Sequence, residues 1–132
     1  MREVPPEEWD GLQLDAYYRR PYVEAAALGG GRPFLLEHEG AFFAGIERED
    51  PRDVVTPYGY GGPTGGGFWG AYEEWASERG VVSTFVRFHP LLANQRDAPV
   101  HVEELAPTVA WRLEPEPVED TLNIERAKRS GP

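Results

Sequence analysis

Cysteine is absent from the 132 residues, which excludes disulfides, thiolate metal sites and a cysteine nucleophile. That absence is compatible with a reducing cytoplasm. Long apolar runs are missing too. Met1-Arg2-Glu3-Val4-Pro5-Pro6 has no apolar core of signal-peptide length, and no later stretch approaches the roughly 20 residues of a membrane-spanning helix. A soluble, cytoplasmic protein without a membrane span is expected. Basic charge is scarce, with 13 Lys and Arg against 23 Asp and Glu, a net charge of -10 and a pI near 4.7. A phosphate backbone is held by a basic footprint that displaces counterions, so a nucleic-acid partner is not expected for this chain.

What is present is enough to fold. Hydrophobic residues make up 40% and aromatics 12%, four tryptophans among them, too many for a disordered chain despite its charge. A chain of this length buries roughly two thirds of its unfolded surface, so a single domain over residues 1–132 is expected. No internal repeat or long linker divides it.

The chain is organised around Asp53-Val54-Val55-Thr56-Pro57-Tyr58-Gly59-Tyr60-Gly61-Gly62-Pro63. Val54, Val55 and Thr56 favour extended backbone through their branched Cβ atoms, and Pro57 biases Thr56 the same way. These residues read as a central strand. From Pro57 onward, prolines with fixed φ alternate with permissive glycines, which favours a loop that holds Tyr58 and Tyr60 at a strand end.

Around this stretch the other elements fall into place. Residues 1–14 read as an irregular arm anchored by Trp9, Leu12 and Leu14. Pro21 and the run Gly29-Gly30-Gly31 bound a short helix from Pro21 to Leu28. Tyr17 and Tyr18, before it, read as core or groove residues. Pro33 to Glu39 and Ala41 to Glu47 form a hairpin that turns at Glu39-Gly40. Phe68, Tyr72, Trp75 and Ala76 recur at helical spacing between Gly65-Gly66-Gly67 and Gly80, leaving Glu73, Glu74 and Glu78 for the wet side. Val81 to Phe88 alternates as a strand that ends in His89-Pro90, and Leu91 to Asn94 is a loop or single turn. Pro99 to Glu103 is a weaker strand, Thr108 to Leu113 a firmer one, and Val118 to Arg129 a helix with a basic end. Hairpins and a strand-helix-strand unit around one sheet give an α+β, mixed α/β, fold.

Candidate chemistry is sparse. The glycines at 59, 61, 62, 65, 66 and 67 lack the Lys-Ser/Thr ending of a nucleotide loop and the spacing of a dinucleotide loop. A structural turn and the wall of a ligand groove both remain open for Gly59, Gly61, Gly62 and Pro63. His38, His89 and His101 sit on separate elements without a ligand at metal-binding spacing, so no metal is expected. His89 suits a strand-end residue bonded to backbone better than a general base. Arg87, among aromatics in Thr84-Phe85-Val86-Arg87-Phe88, suits an exposed edge charge, a stacked cation or an anion receptor. The pairs Glu7-Glu8, Glu73-Glu74 and Glu103-Glu104 diverge on any regular backbone and read as solvated charge. No Ser/His/Asp set and no nucleophile stands out, so no catalytic residue is assigned.

Two stretches carry a resemblance. Asp53 to Pro63, with its Pro57-Tyr58-Gly59-Tyr60-Gly61-Gly62-Pro63 core, and Val82 to Asn94, with Arg87-Phe88-His89-Pro90, are similar to the first lobe of Fem-like acyltransferases of the GNAT superfamily. The likeness runs from about Asp15 to the end of the chain. It implies a GNAT-like lobe, a central and mostly antiparallel sheet flanked by helices, that shapes an acceptor groove. It further implies a second GNAT-like lobe that holds the donor, acyl-CoA or aminoacyl-tRNA, with no cofactor bound by this lobe alone. In such proteins an acyl or aminoacyl group passes to an amine, and in the Fem-type members the acceptor is a peptidoglycan precursor. Asn123 to Gly131 resembles the basic helix that leads into the second lobe, although Glu125 stands where a basic residue is usual. Tyr58, Tyr60, Arg87, His89 and Asn94 occupy motif positions and are the implied acceptor-binding residues, for a small-molecule or muropeptide-like acceptor. The chain is then a first lobe that needs its companion supplied elsewhere. A stand-alone binding module for a cell-wall-like or peptidic ligand, and a self-associating domain, are the competing expectations.

Overall fold

Alternating apolar residues build the frame. In the computed structural model, which describes residues 1–100 and 102–103, seven residues of β2 (Arg32–His38) pair antiparallel with β3 (Ala41–Arg48). Period-two alternation sends Leu35, Ala44 and Ile46 to one face and Phe34, Leu36, Ala41 and Phe43 to the other. The turn between the strands puts Glu39 at φ 49° and Gly40 at φ 84°. Positive φ at both central residues matches the right-handed twist of the strands they join, and glycine takes the second position without strain.

The remaining strands extend this hairpin. β1 (Arg2–Glu3) pairs antiparallel with β2, β4 (Asp53–Val55) antiparallel with β3, and β5 (Ser83–Phe85) parallel with β4. The sheet therefore runs β1-β2-β3-β4-β5 and is mostly antiparallel, in an α+β fold. β4 is fourth of the five strands, so the expectation of a central strand at 53–56 is corrected. The middle position belongs to β3, whose longer run can pair on both sides.

Helices cover both faces. On the first, α1 (Pro6–Asp10), a 3₁₀ turn at Ala16–Tyr18 and α2 (Arg20–Ala26) bury Trp9, Tyr18, Val23 and Ala27 against Leu35, Ala44 and Ile46. On the second, α3 (Trp69–Arg79) buries Phe68 and Tyr72 against Phe34, Leu36, Phe43 and Val54. Phe43 is the hub there, its ring 5.4 Å from Phe68 and 5.3 Å from Tyr72. Such close aromatic pairs add to the stabilisation from burial alone. Glu73, Glu74 and Glu78 face solvent, and Gly80 closes α3 at φ 77°. The Tyr72 hydroxyl and Thr84 Oγ1 lie 2.6 Å apart, tying α3 to β5.

Three further expectations change at the structure. The arm over 1–14 is regular in part: Pro6 opens α1, Glu7 and Glu8 sit in its first turn where the helix dipole favours them, and the Val4 N–H donates to Leu35 O at 2.8 Å. Trp9 anchors it, 4% exposed, with its indole N–H donating to Tyr18 O at 2.7 Å. The strand over 81–88 shortens to Ser83–Phe85, because its partner β4 runs into Pro57 and leaves the sheet. Pro99 and Val100 lie in a bend. The strand over 108–113 and the helix over 118–129, with His101, Glu104 and Asn123 to Gly131, lie outside the described residues. Among the described residues no helix is long and apolar enough to cross a membrane.

At the far end of the second face, Glu47 is 5% exposed yet charged. Arg79 of α3 holds it through two hydrogen bonds, one of them Nη2 to Oε1 at 2.9 Å, and Arg32 Nε approaches at 3.3 Å. Arg32 in turn donates to Glu3 at 2.7 Å. The hydrogen bonds from Arg79 hold the Glu47 carboxyl below its ordinary value of 4.5, against the upward push of burial. A depressed folded pKa contributes stability that is full above the unfolded value and is lost as pH falls through the folded one. We expect Glu47→Gln to cost about 2 kcal/mol at neutral pH, less than a fully buried pair because Arg79 and Arg32 are partly wet. The deficit against the parent should shrink as pH falls below 4.5 in urea titrations, and a deficit independent of pH would reject this account.

Candidate functional site

The candidate site begins where β4 gives out. Thr56 keeps hold of the neighbouring stretch: its N–H donates to Phe85 O at 3.1 Å and its Oγ1 accepts the Arg87 N–H at 3.1 Å. Five residues on, the Gly61 N–H donates to Arg87 O at 2.6 Å, and Gly61 bridges to Phe88. Pro57 to Tyr60 is therefore an excursion between two points of attachment to the same neighbouring segment. Its shortness forces the two tyrosines apart.

Tyr58 points out, 82% exposed, with the Arg87 guanidinium 5.3 Å from its ring centroid. Its carbonyl accepts a hydrogen bond from the Tyr22 hydroxyl on α2. Tyr60 is half-buried, its ring 5.5 Å from that of Tyr17 and 5.5 Å from that of His89. Tyr17 also meets Tyr22 edge-on at 5.3 Å. The tyrosines of the 3₁₀ turn and α2 thus form the floor on which the loop rests.

His89 and Asn94 hold the loop from behind. His89 is 2% exposed, with Nε2 3.0 Å from Asp15 Oδ2, and its Nδ1 accepts the Leu91 N–H at 3.2 Å. A backbone N–H can only donate, so Nδ1 carries the lone pair and the proton of the neutral ring sits on Nε2, facing Asp15. Both ring nitrogens are engaged, which removes the free basic nitrogen a general base needs. Asn94 engages backbone with both ends of its amide: Nδ2 donates to Gly61 O at 2.8 Å and Pro63 O at 3.0 Å, and Oδ1 accepts the His89 N–H at 2.9 Å. Gly62, at φ 92°, passes so close that a Cβ there would meet Asn94 Nδ2 at 2.7 Å. Gly62 O accepts from the buried Tyr18 hydroxyl at 2.8 Å. Burial, and then the Asp15 charge, hold that phenol well above its ordinary pKa, so it stays a donor.

The five sequence candidates therefore form one connected chain of contacts with two different roles. Tyr58 presents its side chain outward with half-buried Arg87 against its ring, whereas His89 and Asn94 are turned inward as fasteners and Tyr60 lies between. A hollow of about 230 Å³ lies beside them, lined by Pro63, Gly65, Gly66, Asn94, Arg96 and Asp97 among others. A second, of about 410 Å³, lies elsewhere among Gly31, Arg32, Glu47, Glu49 and Arg79. Among the described residues no group of His, Asp and Glu is placed to hold a metal ion. Asp15 is the residue that sequence reasoning passed over. It sits just before the tyrosine pair, caps the 3₁₀ turn by accepting the Tyr17 N–H, and is the partner that orients His89. The signal available was an acidic residue at a helix-capping position ahead of Tyr17-Tyr18.

Comparison of the chain with family models, with curated proteins and with solved structures gives no match.

The fastening makes a graded prediction. Asn94→Ala leaves the carbonyls of buried Gly61 and Pro63 without a partner and is expected to cost about 2–3 kcal/mol. Asn94→Asp sets a carboxylate oxygen against those same carbonyls and is expected to cost more than alanine. Urea unfolding midpoints check the order, and an aspartate variant as stable as the parent would remove Asn94 from this role.

Proposed function

We propose that this chain is the acceptor-binding lobe of a Fem-like N-acyltransferase of the GNAT superfamily, working in the cytoplasm. In this reading it presents an amine-bearing acceptor of muropeptide type, and a second GNAT-like lobe holds acyl-CoA or aminoacyl-tRNA and supplies the transfer chemistry. The observation that carries the reading is the fastening of the two motif stretches to each other. The Asp53–Pro63 stretch and the 87–94 segment are joined through Gly61, Arg87, His89 and Asn94, with exposed Tyr58 and half-buried Arg87 left in contact with each other. Exposed aromatic rings and an arginine fork suit stacking and hydrogen bonding to a peptide or sugar acceptor.

A second reading, a binding module without chemistry, is favoured by one specific observation. His89, the histidine of the cluster, has both ring nitrogens engaged and its ring buried. Such a module would bind the same class of ligand and stop there.

Combining the chain with a Fem-type second lobe, acyl-CoA and a muropeptide amine is expected to give acyl transfer that neither part gives alone, read by thiol release and by the mass of the product. A pair that forms no complex and consumes no donor, while the chain alone binds the muropeptide saturably, would replace the first reading with the second.

A further inference from the structure

We infer that the Tyr58–Arg87 pair is a receptor for a single carboxylate, carried by a ligand of peptide or amino-acid character. The inference rests on the acceptor-surface reading for its place on the molecule, but not on any acyl transfer.

The first argument is the pairing of charge. With 23 acidic against 13 basic residues, an arginine in this chain has carboxylates in excess around it. Arg2, Arg20, Arg32, Arg48, Arg52 and Arg79 each meet one, and Arg19 donates to Leu14 O. Among the described residues, no carboxylate meets Arg87. Its fork of N–H donors is left open, although its backbone is pinned on both sides by Thr56 and Gly61. Arg96 is also without a carboxylate in this sense, but it is exposed on a turn and no ring supports it.

The second argument is preorganisation. The Tyr58 ring lies against the guanidinium at 5.3 Å, and the Tyr22 hydroxyl fixes the Tyr58 carbonyl beneath it. A guanidinium resting on an aromatic ring keeps its N–H edge free for in-plane, two-pronged contact with a carboxylate, and loses less freedom when it binds. Tyr58, 82% exposed, and Phe85, 61% exposed two residues before Arg87, leave apolar surface beside the charge for the body of a ligand.

The third argument selects among anions. A net charge of -10 opposes each further negative charge on an incoming ligand, and a lone arginine cannot offset several. A monoanion with adjoining apolar or amide surface is favoured over a diphosphate or a polyanion. The carboxylate of an amino acid or a peptide end meets that description.

The test uses the whole chain without any acyl donor, followed by NMR through the Arg87 Nε–H and the Tyr58 ring. The probes are acetate, N-acetylalanine, N-acetyl-alanyl-alanine, the C-terminal amide of each of the last two, and pyrophosphate. The two N-acetylated acids are expected to shift both signals saturably, and their amides at least about tenfold more weakly, since a hydrogen bond to a charged group is forfeited. Dipeptide tighter than N-acetylalanine indicates a peptide end, and equal affinity a simple amino acid. Both outcomes support the receptor. Arg87→Gln should lose the binding at least about tenfold, and Arg87→Lys, which keeps charge but not the fork, should fall between. The amide spectra of both variants report whether they fold. The inference is overturned if amides bind as well as acids, if acetate or pyrophosphate binds as tightly as the N-acetylated acids, or if a folded Arg87→Gln binds like the parent. Acid binding without transfer in the two-lobe assay would fell the acyltransferase reading alone. Equally efficient transfer to an acceptor whose carboxylates are amidated would fell this one alone.

Discussion

The side-chain amide of Asn94 fastens two backbone segments that regular structure leaves apart. β4 stops at Val55 and β5 at Phe85, so the residues after them have no continuous ladder to satisfy their polar groups. Gly61 and Pro63 are nevertheless buried, and a buried carbonyl without a donor is costly. The two N–H groups of Asn94 supply what a strand would have supplied, and its oxygen takes up the His89 N–H. The loop keeps a fixed height above the tyrosine floor through this clasp together with the Tyr18 hydroxyl on Gly62 O, the Tyr22 hydroxyl on Tyr58 O and the Gly61–Arg87 bond.

That arrangement explains why the glycines cluster where they do. At Gly62 a side chain would collide with Asn94 and would have to adopt a positive φ as well. The close approach is what lets an asparagine reach two carbonyls on one loop. The cost of such a loop is carried by the three-layer body behind it, where both faces of the β2–β3 hairpin are covered by helices. The parallel crossover from β4 through α3 to β5 delivers Arg87 next to Tyr58, and α3 is held in place at one end by Glu47 and at its middle by the stacked rings around Phe43.

Legibility in the sequence followed the locality of the signal. The β2–β3 hairpin could be read because its apolar alternation and its Glu39-Gly40 turn are both contained within a few residues. α3 could be read for the same reason, from Phe68, Tyr72 and a closing Gly80. The rank of β4 within the sheet could not, because neighbours across a sheet are chosen by long-range packing and not by β-branching at 54–56. α1 was hidden by its prolines, although Pro6 followed by two acids is itself a helix start. At the site, the motif positions came together as a connected group, but their division of labour was not legible. Whether a tyrosine faces out, as Tyr58 does, or in, as Tyr60 does, depends on where the loop is anchored, and the anchors lie up to 74 residues away in the case of Asp15 and His89.

The same division bears on what kind of work the surface can do. A residue that donates and accepts at every polar atom within the protein has nothing left for a ligand, and His89 and Asn94 are in that condition among their described neighbours. Arg87 is in the opposite one: its backbone is fully tied while, among the described residues, its guanidinium meets only a ring. Rigid backbone beneath an open cation is the combination that lowers the entropy cost of recognition, whereas proton transfer requires a group free to change its hydrogen bonds during the reaction. Within the cluster, then, the side chains of His89 and Asn94 are committed to holding the loop, and Arg87 is the one that combines a tied backbone with a guanidinium resting on a ring.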